Sequence, residues 1–139
     1  METLYTAIAH ATGGGRDGHV RSEDDRLDLD TRPPKEMGGT GEGTNPEQLF
    51  AAGFSACFLS ALGVVGRSLK LDTTDASVSA SVSIGPNGEG GFGLAVELDV
   101  YAPNVAPERR QELADAAHKV CPYSNATRGN IDVVVSIVD

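Results

Sequence analysis

The chain has two cysteines, and their settings differ chemically. Cys57 lies inside the apolar run from Leu49 to Leu59 (LFAAGFSACFL). Cys121 opens Cys121-Pro122-Tyr123-Ser124-Asn125, where one helix should stop and another begin. A lone buried cysteine is usually a small hydrophobe. A pair with one sulfur in an apolar pocket and the other at a chain reversal has the layout that a peroxide-reducing dithiol needs. Whether the two sulfurs meet is not decided by spacing along the chain.

A free thiol titrates near about 8.5, and only its thiolate is nucleophilic. Apolar surroundings raise that value, because the charged form loses water. Cys57 is therefore inert unless a cation reaches it, and its mid-helix position denies it a helix N-terminus. Arg16, within Gly13-Gly14-Gly15-Arg16-Asp17-Gly18, and Arg128 are the candidate cations. Arg67, ten residues beyond Cys57, is too far along the same helix. Cys121 precedes Pro122, which suits the first position of a short helix reaching about Thr127. A thiol near a helix N-terminus has its thiolate favoured, so Cys121 rivals Cys57 as the more acidic sulfur. His118 is either a base for Cys121 or an ordinary histidine beside a helix C-terminal dipole. Tyr123 and Asn125 read as packing and turn residues.

Glu47 is the nearest charged residue before Cys57. Ten residues of helix rise about 15 Å and turn to a different face. On an unbroken helix Glu47 does not touch its own Cys57. Either it is a first-turn carboxylate stabilised by the helix dipole, or a second copy of the chain brings the two together.

The remaining residues bound the chemistry. No Cys-x-x-Cys occurs, and His10, His19 and His118 are too scattered for a zinc pattern. We expect no metal and no cofactor. The formal net charge is −9, from 20 acidic and 11 basic residues, which argues against nucleic-acid and anionic-membrane partners. The start, Met1-Glu2-Thr3-Leu4-Tyr5, has no basic stretch followed by an apolar one, so a secretory leader is not expected. A cytoplasmic, reducing setting follows, in which a disulfide would be transient and catalytic or sensory.

These residues need elements to hold them, and a length of 139 residues suggests a single domain over 1–139. Leu4 to Ala11 could be a strand. The glycines from Gly13 to Gly18 mark a hairpin with Arg16 at its tip. Arg26 to Asp30 alternates like an edge strand, and Thr31 to Gly43 reads as a long loop. Asn45 can cap a helix that starts at Pro46, with Gln48 completing a capping box. That helix should run to about Leu69, apolar nearly all round and buried on most faces. Ala52, Ala56, Ser60 and Gly63 recur at helical spacing and would let another helix approach. The run is nearly long enough to cross a membrane, but its serines and glycines and the strands after it favour a core helix. Val78 to Ile84 and Leu94 to Val100 alternate as an antiparallel hairpin with one wet face. Pro107 to Lys119 is a second helix, and Ile131 to Ile137 a last strand. Runs of strands separated by helices give an α+β class.

At its two cysteine blocks the chain resembles the organic hydroperoxide resistance proteins, the Ohr branch of the Ohr/OsmC family. The resemblance rests on Thr44-Asn45-Pro46-Glu47-Gln48-Leu49-Phe50-Ala51-Ala52-Gly53 leading to Ser55-Ala56-Cys57-Phe58, on Val120 to Asn130, and on the Gly15-Arg16-Asp17-Gly18 turn. It implies an intertwined homodimer with long central helices enclosed by two antiparallel-rich sheets and with sites at the subunit interface. It implies a thiol peroxidase in which Cys57 is peroxidatic, Cys121 resolving, Arg16 activates Cys57 and Glu47 positions Arg16. The helix-rise argument adds the expectation that Glu47 comes from the partner chain. The expected substrates are organic, alkyl or fatty-acyl hydroperoxides, and the expected reductant is a dithiol, a lipoylated protein or dihydrolipoamide. Phe54, Phe58 and Leu59 would wall an alkyl tail. The rival reading is a redox sensor or hydrophobic-ligand carrier without turnover.

Overall fold

Glycine makes the turn around Arg16 possible. In the computed structural model, which describes Met1–Asp139, Gly15 takes a left-handed φ of 73°, a region that L side chains rarely enter. A Cβ on Gly18 would lie 2.1 Å from the Thr12 carbonyl oxygen. The turn joins strands β1 (Ala9–Gly13) and β2 (Gly18–Ser22), which pair antiparallel from Gly13↔Gly18 to Ala9↔Ser22. Strand β3 (Asp28–Thr31) pairs with the other side of β2, placing Thr31 opposite Gly18. These strands form one three-stranded sheet in the first of two compact units, Met1–Leu49 and Phe50–Asp139.

The expected strand at Leu4 to Ala11 begins only at Ala9. Its partner β2 ends at Ser22, where the chain turns back through Asp25 at a φ of 61°. Earlier residues thus have no strand to pair with beyond one bond, from Glu23 N–H to the Ile8 carbonyl. Arg26 likewise belongs to that turn rather than to β3, with its N–H held by Asp24. The loop after Thr31 contains one 3-10 turn, Lys35–Met37. It returns alongside β3, where Thr44 N–H bonds the Asp30 carbonyl and Arg32 N–H bonds the Thr44 carbonyl.

Helix α1 (Pro46–Leu69) then starts as expected, with the Asn45 side chain accepting the Gln48 N–H at 2.9 Å. The capping box is not closed. Gln48 accepts the Thr44 hydroxyl at 3.0 Å instead of reaching back to Asn45. Helix α1 passes without interruption from the first unit into the second.

In the second unit, β4 (Ser77–Pro86) and β5 (Phe92–Tyr101) form the expected antiparallel hairpin. Helices α2 (Pro107–Val120) and α3 (Pro122–Thr127) lead to β6 (Val133–Ile137), parallel to β5. A parallel neighbour requires a crossover of a dozen or more residues, and the two helices supply it. Val96, Leu98 and Val100 point inward from β5 and share one core with Phe54, Phe58 and Leu62 of α1 and Leu113, Ala114 and Ala117 of α2. The class is α+β, with one long helix and two three-stranded sheets.

Helix α1 is buried over one face rather than most. Phe54, Phe58, Ala61, Leu62 and Val65 recur at 3.6-residue spacing and face the core. Ala52, Ala56, Leu59, Ser60 and Val64 are exposed. By length and composition α1 could cross a membrane, but its large side chains supply the core of the second unit. Asn45→Ala is expected to destabilise the fold by about 1 kcal/mol through loss of the cap. The check is the urea midpoint at fixed protein concentration, with the slope of the transition unchanged.

Candidate active site

Arg16 and Glu47, 31 residues apart, form a two-pronged ion pair within one chain. Arg16 Nη1 donates to Glu47 Oε2 at 2.8 Å, and Nη2 to Oε1 at 2.6 Å. Such a fork fixes direction as well as distance. It leaves the Nε–H and one N–H on each terminal nitrogen for another acceptor. The Glu47 side chain is 14% exposed and that of Arg16 38%, so the carboxylate is the sheltered partner. Its pKa is held below the ordinary glutamate value, chiefly by the Arg16 hydrogen bonds and against the effect of burial. Glu47 is thus more than a first-turn carboxylate. The arginine that it grips belongs to its own chain, because the β3–Thr44 pairing carries the start of α1 back beside the Arg16 turn.

The two cysteines come together although 64 residues separate them. Both are free thiols, with sulfurs 3.5 Å apart. A disulfide bond is about 2.05 Å long, so closing it requires a small shift and no rearrangement of elements. Cys121 is fully buried. Cys57 is partly exposed and opens onto a cavity of about 280 Å³ lined by Ser60, Ala61, Val64, Val120 and Pro122. Phe54 and Phe58 do not line it as expected. They lie on the core-facing stripe of α1 with no exposure.

Burial raises the Cys57 pKa above its ordinary value, and the neighbouring Cys121 adds to the rise. One local group opposes this, the backbone N–H of Tyr123, whose dipole favours the thiolate. Residue patterns placed the benefit of the α3 N-terminus with Cys121, which sits at its cap. The first turn instead favours the Cys57 thiolate, through the Tyr123 N–H. Tyr123 holds that turn in place. Its ring lies 5.9 Å from Phe50 and 5.6 Å from Phe54, between ring centres. Its hydroxyl fills the space above Gly53, where a Cβ would meet it at 2.7 Å. Sequence reasoning left Tyr123 as a packing residue. Packing is how it acts, but the consequence falls on its own N–H. Gly53, four residues before Cys57 on α1, was the available signal.

The other candidates are committed elsewhere. Arg128 donates to Asn125 Oδ1 at 2.7 Å and to the His118 carbonyl, tying the end of α3 to α2. His118 Nδ1 lies 2.9 Å from the buried Ser124 hydroxyl. Burial lowers the His118 pKa, as does the charge of Arg128, with Asp115 opposing. It is a neutral bridge between α2 and α3 rather than a base bonded to Cys121.

A thiol open to a cavity, beside a second thiol that is fully buried, defines a cysteine-based redox protein. The comparisons agree. The OsmC-like protein family matches residues 39–136. The organic hydroperoxide resistance protein of Xanthomonas axonopodis pv. citri is 51% identical over 138 residues, covering 98% of this chain and 96% of that one. Among solved structures, an organic hydroperoxide resistance protein from Elizabethkingia anophelis, with thiocyanate bound, has a TM-score of 0.94 and 52% identity, over 100% of this chain and 99% of that one. Another, from Legionella pneumophila, has a TM-score of 0.94 and 46% identity, over 99% and 100%. The chain belongs to the Ohr/OsmC family and matches its organic hydroperoxide resistance branch.

The ion pair makes a pH prediction. Because the folded Glu47 pKa is depressed, the pair contributes stability that is present above the ordinary glutamate range and lost as pH falls through the lowered value. The stability gap between wild type and Glu47→Gln should be full at about pH 6 and shrink below about pH 4. Urea unfolding at a series of pH values measures it.

Proposed function

We propose that the chain is a thiol peroxidase that reduces organic hydroperoxides to alcohols, with Cys57 as the attacking sulfur and Cys121 as the resolving one. The observation that carries this reading is the pair of reduced sulfurs 3.5 Å apart, one opening onto a cavity and one buried. The Cys57 thiolate attacks one peroxide oxygen, the O–O bond breaks, and the departing alkoxide takes up a proton to leave as the alcohol. Cys57 is left as a sulfenic acid. The Cys121 thiol attacks it, forming a disulfide and releasing water. A dithiol then exchanges twice with the disulfide, leaving both cysteines reduced and itself oxidised.

Arg16 supplies the cation that the Cys57 thiolate needs, and Glu47 aims it. This is supported by the two-pronged pair and by the donors it leaves unused. The alkyl part of the substrate lies against Ala61, Val64, Val120 and Pro122, an apolar wall that suits a carbon chain better than hydrogen peroxide. A dithiol such as dihydrolipoamide or a lipoylated protein suits the last step. After one exchange, its second sulfur attacks the first within the mixed disulfide and displaces the protein cysteine without a further collision. Free thiols in contact suit the reducing cytoplasm.

The working form is a homodimer. Support comes from the exposed apolar and small residues along α1, which a second copy would cover, and from β1, which is exposed throughout. The rise of an unbroken helix between Glu47 and Cys57, about 15 Å, further suggests that the Arg16–Glu47 pair of one copy serves the cysteines of the other. Residues 1–139 act as one domain in this reading, because the family match crosses the boundary between the two compact units.

Reduced protein titrated with cumene hydroperoxide should consume one equivalent and lose both free thiols. Thiols that persist would sink the scheme. Cys121→Ser should reduce one equivalent and stall, and Cys57→Ser should reduce none. Equal activity of the two variants would invert the roles. Steady turnover with dihydrolipoamide, faster for an alkyl hydroperoxide than for hydrogen peroxide, supports an enzyme. Oxidation without turnover would make the chain a sensor.

A further inference from the structure

The Arg16 turn is held from below by one buried side chain. Thr31, the last residue of β3, is 1% exposed. Its hydroxyl accepts the Gly18 N–H at 2.9 Å and donates to the Gly15 carbonyl at 2.5 Å. Those two backbone groups flank Arg16-Asp17, so a single oxygen clamps both limbs of the turn that carries the guanidinium. The Thr31 backbone continues the grip. It pairs with Thr44, three residues before Glu47, and its carbonyl accepts Arg32 Nη1 at 2.6 Å, a nitrogen that also donates to the Gly18 carbonyl at 3.0 Å. One residue therefore fixes the Arg16 turn to the strand that also delivers Glu47.

We propose that Thr31 is a positioning residue for the peroxidase reaction, its hydroxyl latching the turn so that Arg16 is presented in register with Glu47. The inference deepens the reading that Arg16 activates Cys57 and rests on it. The hydroxyl is the part that matters. A half-buried N–H and a half-buried carbonyl both lose the partner that the buried hydroxyl gives them. The Gly15 conformation then has less to hold it against the other states open to glycine.

Thr31→Val keeps the shape and removes the hydroxyl, whereas Thr31→Ser keeps the hydroxyl. Each is compared with wild type and Arg16→Ala in the full chain. Two measurements are made, the rate of Cys57 oxidation by cumene hydroperoxide across pH and the hydrogen exchange of the Gly18 amide. Thr31→Val should oxidise about 10- to 100-fold more slowly, since displacing a positioned group by about an ångström costs on that order. Its rate profile should shift to higher pH, toward that of Arg16→Ala, and Gly18 should exchange at least about tenfold faster, as expected when its hydrogen bond opens. Thr31→Ser should restore rate, profile and protection. A Thr31→Val protein with the wild-type rate, profile and Gly18 protection, beside a slow Arg16→Ala, would overturn the latch and leave the role of Arg16 standing. An unimpaired Arg16→Ala would overturn the activation reading, and with it the kinetic consequence claimed for Thr31. Should valine fail to fold by circular dichroism, Thr31→Ala against Thr31→Ser poses the same hydroxyl question in a smaller side chain.

Discussion

A sulfur must be ionised to attack, and ionisation is least welcome where an apolar substrate is most welcome. Cys57 meets this constraint directly. Burial and a neighbouring sulfur both disfavour its charge, and the Tyr123 N–H only partly compensates. The rest of the structure can be understood as a response. Charge has to be brought to the thiolate by a group that is itself held rigidly, and the second sulfur has to wait close by without competing for the peroxide.

The waiting sulfur is placed by local chain chemistry. Helix α2 ends because the residue before a proline disfavours the helical region, and Pro122 starts α3 at once because its φ suits a first helical position. Cys121 is left between them, extended at a φ of −62° and ψ of 122°, with its thiol turned inward and fully buried. The Tyr123 ring, packed against Phe50 and Phe54, anchors the new helix on α1. Arg128 and His118 close the joint between α2 and α3 from the other side. A site of this kind is stiff enough to keep two thiols in contact and needs only a small motion to bond them.

Rigidity of the cation has a different origin. The Arg16 turn is rich in glycine, which would leave it loose in isolation. It is disciplined by partners from distant parts of the first unit, Thr31 below it and Glu47 across from it. Helix α1 carries Glu47 at its start and Cys57 near its middle. Its exposed small residues belong to the same economy of design, since a face of alanine, serine and glycine allows close approach by another helix.

Most elements were legible in the sequence because their signals are local. The cap at Asn45, the proline starts of all three helices, the alternation in β4 and β5 and the glycine turn at Arg16 each follow from backbone geometry and side-chain period. The strand ends at Ala9 and Asp28 were not, because a strand stops where its neighbour stops, and that is a property of two segments. Both cysteines stood out from their surroundings, as did Arg16 and Glu47. Only the tertiary structure brings Cys57 and Cys121 to 3.5 Å, sets the Tyr123 N–H to favour the Cys57 thiolate, and pairs Glu47 with the arginine of its own chain. Each of these is a contact between residues far apart along the chain. Residue type sets what such a contact can do, but only packing sets whether it forms.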